Sequence, residues 1–281
     1  MKRIVSSTAT NIFYALKSVK FWAAVILEVF ILYIYSDTNV IWGQKFEMYY
    51  ILFWTLEAIP EEFVMAVSAL PAVTLFADEW CGGRFIYSYT RLKGKGYAVT
   101  LILSVFLISV LVTLFSMGLF IGILSPSHPM AGDRSESSLL QIARGYANGG
   151  LLQHGHFFAY YLITLLRQAC YMGIFAAIAA AASIWISNSY VAIVFPVFLY
   201  VVINDILVFV NVPGVILPVN VYRHTVYLSK MFDPDLKLSE NNFTVISMLY
   251  PFIYTLIVLV LLVVLSYFWI RRKYRSSSDL R

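Results

Sequence analysis

Residues 97–124 read YAVTLILSVFLISVLVTLFSMGLFIGIL, 28 positions without one acidic or basic side chain. At 1.5 Å per residue a helix of that length measures about 42 Å, more than the roughly 30 Å of hydrocarbon in a bilayer. Soluble domains carry roughly a quarter charged residues. This chain of 281 residues carries 12%, with 60% hydrophobic and 17% aromatic residues and a mean hydropathy of +0.78. The composition excludes a conventional soluble domain and predicts an all-α polytopic membrane protein.

Working outward, comparable apolar segments occupy 21–36, 63–77, 157–186, 190–209 and 245–270, giving six expected transmembrane helices. The segment at 63–77 is short and draws on 49–60, which is apolar apart from Glu57. The expected organisation is an interfacial amphipathic helix at 1–20, a six-span domain at 21–270 and a basic tail at 271–281. The chain contains no internal repeat and no low-complexity segment.

The basic residues set the orientation. Lys2, Arg3, Lys17 and Lys20, then Arg84, Arg91, Lys93 and Lys95, then Arg271, Arg272, Lys273, Arg275 and Arg281 make thirteen on one side. Lys45, Arg134, Arg144, Arg223, Lys230 and Lys237 make six on the other, and Arg167 falls within a span. The bias predicts both termini in the cytoplasm and accounts for the net charge of +5 without nucleic acid. Asp37, Glu47, Glu57, Glu61 and Glu62 are then expected in the first outer loop. Residues 1–20 are polar and mixed, with no small-residue cleavage site after the first apolar run, so a retained N-terminus is expected. Cys81 and Cys170 lie in a basic loop and an apolar run and imply no disulfide framework.

Two segments beside the spans are candidates for function. Between residues 5 and 20, Val5, Ala9, Ile12, Phe13, Leu16 and Val19 recur at helical spacing opposite Ser6, Thr10, Lys17 and Ser18, as in a helix lying on the inner membrane surface. Residues 78–96 read DEWCGGRFIYSYTRLKGKG. Acids open this segment and bases close it, which complements the dipole of a short helix, and its glycines offer hinges. Trp80, Phe85, Ile86, Tyr87 and Tyr89 are costly to leave in water and point to a partner surface.

Residues 11–17, NIFYALK, leading into Phe21-Trp22, together with Glu79, Gly82, Gly83 and Arg84 just after the second span, resemble the type-2 ATP-binding-cassette (ABC) exporter permeases. The resemblance implies a cytoplasmic coupling helix after span two that docks into a cleft of a separate ABC ATPase subunit. It implies coupling residues Asp78, Glu79, Trp80, Arg84, Phe85, Tyr87 and Arg91, with the charged members pairing with the ATPase and the aromatic ones filling its cleft. It also implies a second permease copy or a sister permease, alternating access, and ATP and magnesium held by the partner ATPase. The chain departs from the common pattern at Tyr89-Thr90-Arg91-Leu92-Lys93, where a proline or hydroxyl-rich turn is frequent. It supplies no nucleotide site itself: around Gly94-Lys95, Tyr89 stands where a phosphate loop needs glycine and Gly96 where it needs Ser or Thr. Residues 211–219, NVPGVILPV, broken by two prolines and a glycine, fit the re-entrant outer element that such permeases often carry before span six.

Charges at membrane depth are expensive and usually paired. Glu28 and Arg167 fall at similar depth and are expected to form an ion pair within the chain or across a dimer, with substrate contact as the alternative. Asp205 falls toward the outer end of span five. Gly118, Gly122 and Gly173, with Ala176, Ala177 and Ala180, mark close helix approach, within one chain or at a dimer seam. Tyr250, Phe252, Tyr254, Tyr267, Phe268 and Trp269 read as interfacial anchors.

Enzyme chemistry finds little purchase. His128, His154, His156 and His224 all fall on the outer side without metal-ligand spacing, so no metal and no catalytic site are expected. Glu61-Glu62 is similar to the Glu-Glu-x-x-x-Arg start of intramembrane CAAX-type proteases, but Ala66 replaces the arginine and no histidine lies in a span. No G-x-S-x-G elbow occurs. The expected function is the permease subunit of an ATP-driven exporter in a bacterial cell membrane. Its cargo is expected to be apolar or amphipathic: a peptide, lipid-linked molecule or drug. A membrane anchor or sensor and a membrane protease stand as rivals.

Overall fold

A computed structural model describes residues 2–37, 47–81, 85–130, 151–152, 155–184, 189–202 and 245–278. The main elements are α1 (Lys2–Lys17), α2 (Val19–Asp37), α3 (Met48–Ala58), α4 (Glu61–Cys81), α5 (Phe85–Leu124), α6 (Phe157–Ser183), α7 (Ser189–Val201) and α8 (Val245–Ser278), with no strand among the described residues. Four stretches are long and apolar enough to cross a membrane: Val19–Ser36, Phe85–Leu124, Phe157–Ser183 and Leu249–Arg272. The pair α3 and α4 adds a fifth if its two bent arms count as one span. Of the expected span at 190–209 the structure describes α7 and Val202. Its remainder, Asp205 and the re-entrant segment 211–219 lie outside the described residues.

The central element is α5, which packs against α1, α2, α4, α6 and α8. Its neighbour α6 is buried over most of its length, with Ala176, Ala177, Ala179 and Ala180 inaccessible, while Phe158 and Leu162 near its start are exposed. The two approach closely at Gly173, where a Cβ would lie 2.8 Å from ring carbons of Phe106 and 2.9 Å from Val110 Cγ2. Gly118 and Gly122 behave differently: a Cβ on either meets nothing within 4 Å, and Phe115, Leu119 and Ile123 around them are exposed. Close approach inside the chain therefore belongs to Gly173 alone of the three.

The N-terminal helix forms as its spacing predicts and packs on α5. Ile4 sits against Gly96 and Asn11 Nδ2 donates to Ser104 Oγ at 3.2 Å, so α1 runs alongside the first turns of the spanning part of α5. Thr8 and Ala15 are buried in this seam, while Val5, Ala9, Phe13 and Val19, expected on one apolar face with Ile12 and Leu16, point outward. Packing against α5 selects the buried face and leaves these apolar residues outward. At the joint with α2, Ser18 Oγ accepts from the Phe21 N–H at 3.2 Å and donates to the Ala15 carbonyl at 2.7 Å, capping one helix onto the other.

A second interruption falls within α5 at Lys93, whose φ of 57° and ψ of 150° lie where essentially only glycine rests without strain. The expected hinge glycine, Gly94, serves packing instead, since a Cβ there would lie 2.8 Å from the Tyr89 ring. The break sets residues 85–92 off as a short helix. Close by, Lys95 Nζ lies 5.9 Å from the Tyr267 ring of α8, one turn before Arg271. Lys2, Arg3, Arg91, Lys93, Lys95, Arg271 and Arg272 are all exposed at this end of the bundle.

Candidate functional site

The bent pair places acidic side chains inside the protein. Pro60 has no N–H to continue the ladder, and the residue before a proline is pushed out of the helical region, as Ile59 is at φ −66° and ψ 139°. The Ile59 N–H closes α3 on the Thr55 carbonyl at 3.0 Å, and the Pro60 carbonyl opens α4 by accepting from Phe63 at 3.1 Å. The arms meet at 92°. Glu57 is thereby set in the last turn of α3 and Glu61 and Glu62 in the first turn of α4, where the positive end of the helix dipole favours carboxylates.

Glu61 is buried, and Tyr171, fourteen residues into the 27-residue α6, donates its hydroxyl to Glu61 Oε2 at 3.0 Å. Arg167 and Gln168, both buried, precede Tyr171 by one turn and flank it on the same face. The Gln168 Nε2 has no hydrogen-bond partner. Arg167 lies near Tyr160, and at the start of α6 Phe157 stacks at 6.1 Å on Tyr49 of α3. A carboxylate, a phenol, a guanidinium and an amide thus gather where a discontinuous helix meets a spanning one, the arrangement in which transporters commonly seat polar groups.

This overturns the expectation of a solvated first outer loop for these acids. Glu57 and Glu62 are half-buried and Glu61 faces α6, because the proline turns the chain inward rather than releasing it to solvent. Within the chain Glu28 does not meet Arg167. Its carboxylate faces α5 in a different seam, with Ser116 Oγ 3.3 Å away, while Arg167 belongs to the face of α6 that meets α4. Pro60, interrupting the apolar run from 49 to 77, was the available signal for a broken span. Nothing local to Tyr171 marks it as the partner.

The short helix at 85–92 presents Tyr87, 78% exposed, and one turn later Arg91, also exposed. Phe85 is removed from the expected docking set, since it is 7% exposed and packs into the chain's own core. Glu79 is half-buried beside Tyr97. The side chains of Asp78 and Trp80, and Gly82, Gly83 and Arg84 altogether, lie outside the described residues, as do His154 and His224. Comparison with family models, curated proteins and solved structures finds no match for this chain.

Proposed function

We propose that the chain is the transmembrane permease subunit of an ATP-driven exporter of the type-2 ABC class, working with separate ATPase subunits and a second permease, identical or sister. The observation that carries this reading is the short helix at 85–92, set off by the break at Lys93 and turning Tyr87 and Arg91 outward. Its supports are the likeness of residues 11–22 and 79–84 to that family and the basic residues gathered at the same end, which suit the cytoplasmic face of a cell membrane. ATP and magnesium belong to the partner ATPase. The bent pair lends the bundle a polar break beside α6, and the apolar surroundings suit an apolar or amphipathic cargo.

The test is a mild-detergent purification of the tagged chain from native membranes, followed by mass spectrometry and an ATPase assay. The expected result is a stoichiometric ATPase whose activity falls in the Tyr87→Ala/Arg91→Glu protein. Absence of any ATPase under conditions that preserve a known exporter complex would overturn the reading in favour of a membrane anchor or sensor.

A further inference from the structure

In the seam between α2 and α5, Glu28 is 1% exposed at the middle of its helix. Facing it from α5 is Ser116, with Thr113 neighbouring the same carboxyl and Ser109 one turn further along, all three fully buried. The oxygens outnumber the hydrogens available to them. Ser116 Oγ lies 2.8 Å from the Val112 carbonyl, 3.3 Å from the Val25 carbonyl and 3.3 Å from Glu28 Oε2. A hydroxyl has one hydrogen, and the 2.8 Å contact takes it.

Hydroxyls inside helices usually bond the carbonyl four residues back, as Ser116, Thr74 and Thr255 do here. Thr113 and Ser109 do not: Thr113 turns to the Glu28 carboxyl instead, and the Ser109 oxygen has no hydrogen-bond partner. The described contacts of Glu28 include no basic side chain. A carboxylate left alone among spanning helices is expensive. A proton on it would account for the Ser116 contact but would leave the 3.3 Å approach of Ser116 Oγ to the Val25 carbonyl without a hydrogen.

We propose that Glu28, Thr113, Ser116 and the Val25 carbonyl form a binding site for one monovalent hard cation of sodium's size. The donor set is oxygen only, which selects hard cations over soft metals. The charge count selects the valence: one carboxylate among neutral oxygens is balanced by a single positive charge, whereas a divalent ion would leave net charge in the seam. The site stands apart from the exporter reading and from the Glu61 cluster.

The experiment uses the purified full chain in detergent, with thermal unfolding followed in sodium chloride and in choline chloride at equal ionic strength. The expected result is an unfolding midpoint that rises and saturates with sodium but not with choline. Retained radioactive sodium should approach one ion per chain. In Thr113→Val the sodium concentration giving half the rise should increase at least tenfold, and in Glu28→Gln the response and the bound ion should vanish. If Glu28→Gln fails to fold, Thr113→Val and Ser116→Ala carry the test. A wild-type midpoint equal in the two salts overturns the proposal, as does a full sodium response in Thr113→Val and Ser116→Ala.

Discussion

The phenol of Tyr171 donates a 3.0 Å hydrogen bond to the carboxylate of Glu61, joining residues 110 positions apart and tying the apex of the bent pair to the middle of α6. Removing a donor from a buried carboxylate costs about 1–3 kcal/mol. Tyr171→Phe should therefore lower the unfolding midpoint in detergent, and Glu61→Gln, which keeps an acceptor oxygen, should lower it less. A double-mutant cycle checks the coupling, expected at about 1 kcal/mol.

The glycines of the two central helices should separate cleanly. Gly173→Ala forces a Cβ to within 2.8 Å of the Phe106 ring, an overpacking that costs about 1–3 kcal/mol. Gly118→Ala and Gly122→Ala meet open space and replace a poor helix former, so the isolated chain should be unchanged or stabilised by up to about 1 kcal/mol. Unfolding midpoints measure both. Loss of a second permease copy on size exclusion in the Gly118→Ala/Gly122→Ala protein would place that face at a seam between chains.

Phe85 and Tyr87 are near neighbours with opposite fates. Phe85→Ala deletes a core side chain and should cost about 3–5 kcal/mol, seen as reduced stability and yield. Tyr87→Ala with Arg91→Glu should leave stability within about 0.5 kcal/mol, since both side chains are exposed. If the proposed exporter reading holds, the same double substitution should lower the activity of the co-purified ATPase while leaving the chain folded.

Lys93 holds a backbone conformation that costs a non-glycine residue about 1–3 kcal/mol. Lys93→Gly should relieve part of that strain and raise the unfolding midpoint. Lys93→Val, branched at Cβ, should lower it.

Much of the fold was legible in residues 97–124 and 157–186, because spanning helices announce themselves by long apolar runs, broken in the second only at Arg167-Gln168. The N-terminal helix was equally legible as a helix, yet not in its partner: period reveals a face, not that Asn11 meets Ser104 on another helix. The Glu61 cluster was not legible. Carboxylates beside a proline read as an outer loop, and only the angle between α3 and α4 shows that the same proline folds them inward. The depth match of Glu28 and Arg167 was sound arithmetic, but depth says nothing about which way each side chain turns around its helix. At the second glycine group the break falls on Lys93, because Gly94 is occupied in making room for Tyr89.

The right-angled bend also makes a crank. The longer arm, α4, has 21 residues and so measures about 32 Å from its apex at Glu61 to its far end at Cys81, next to the short helix at 85–92. A swing of about 10° around the apex would carry that far end about 5 Å sideways while the shorter arm stayed still, by the same arithmetic of helical rise. The Tyr171–Glu61 hydrogen bond at the pivot therefore sits where a small angular change beside the middle of α6 becomes a displacement of atomic size at the far end of α4.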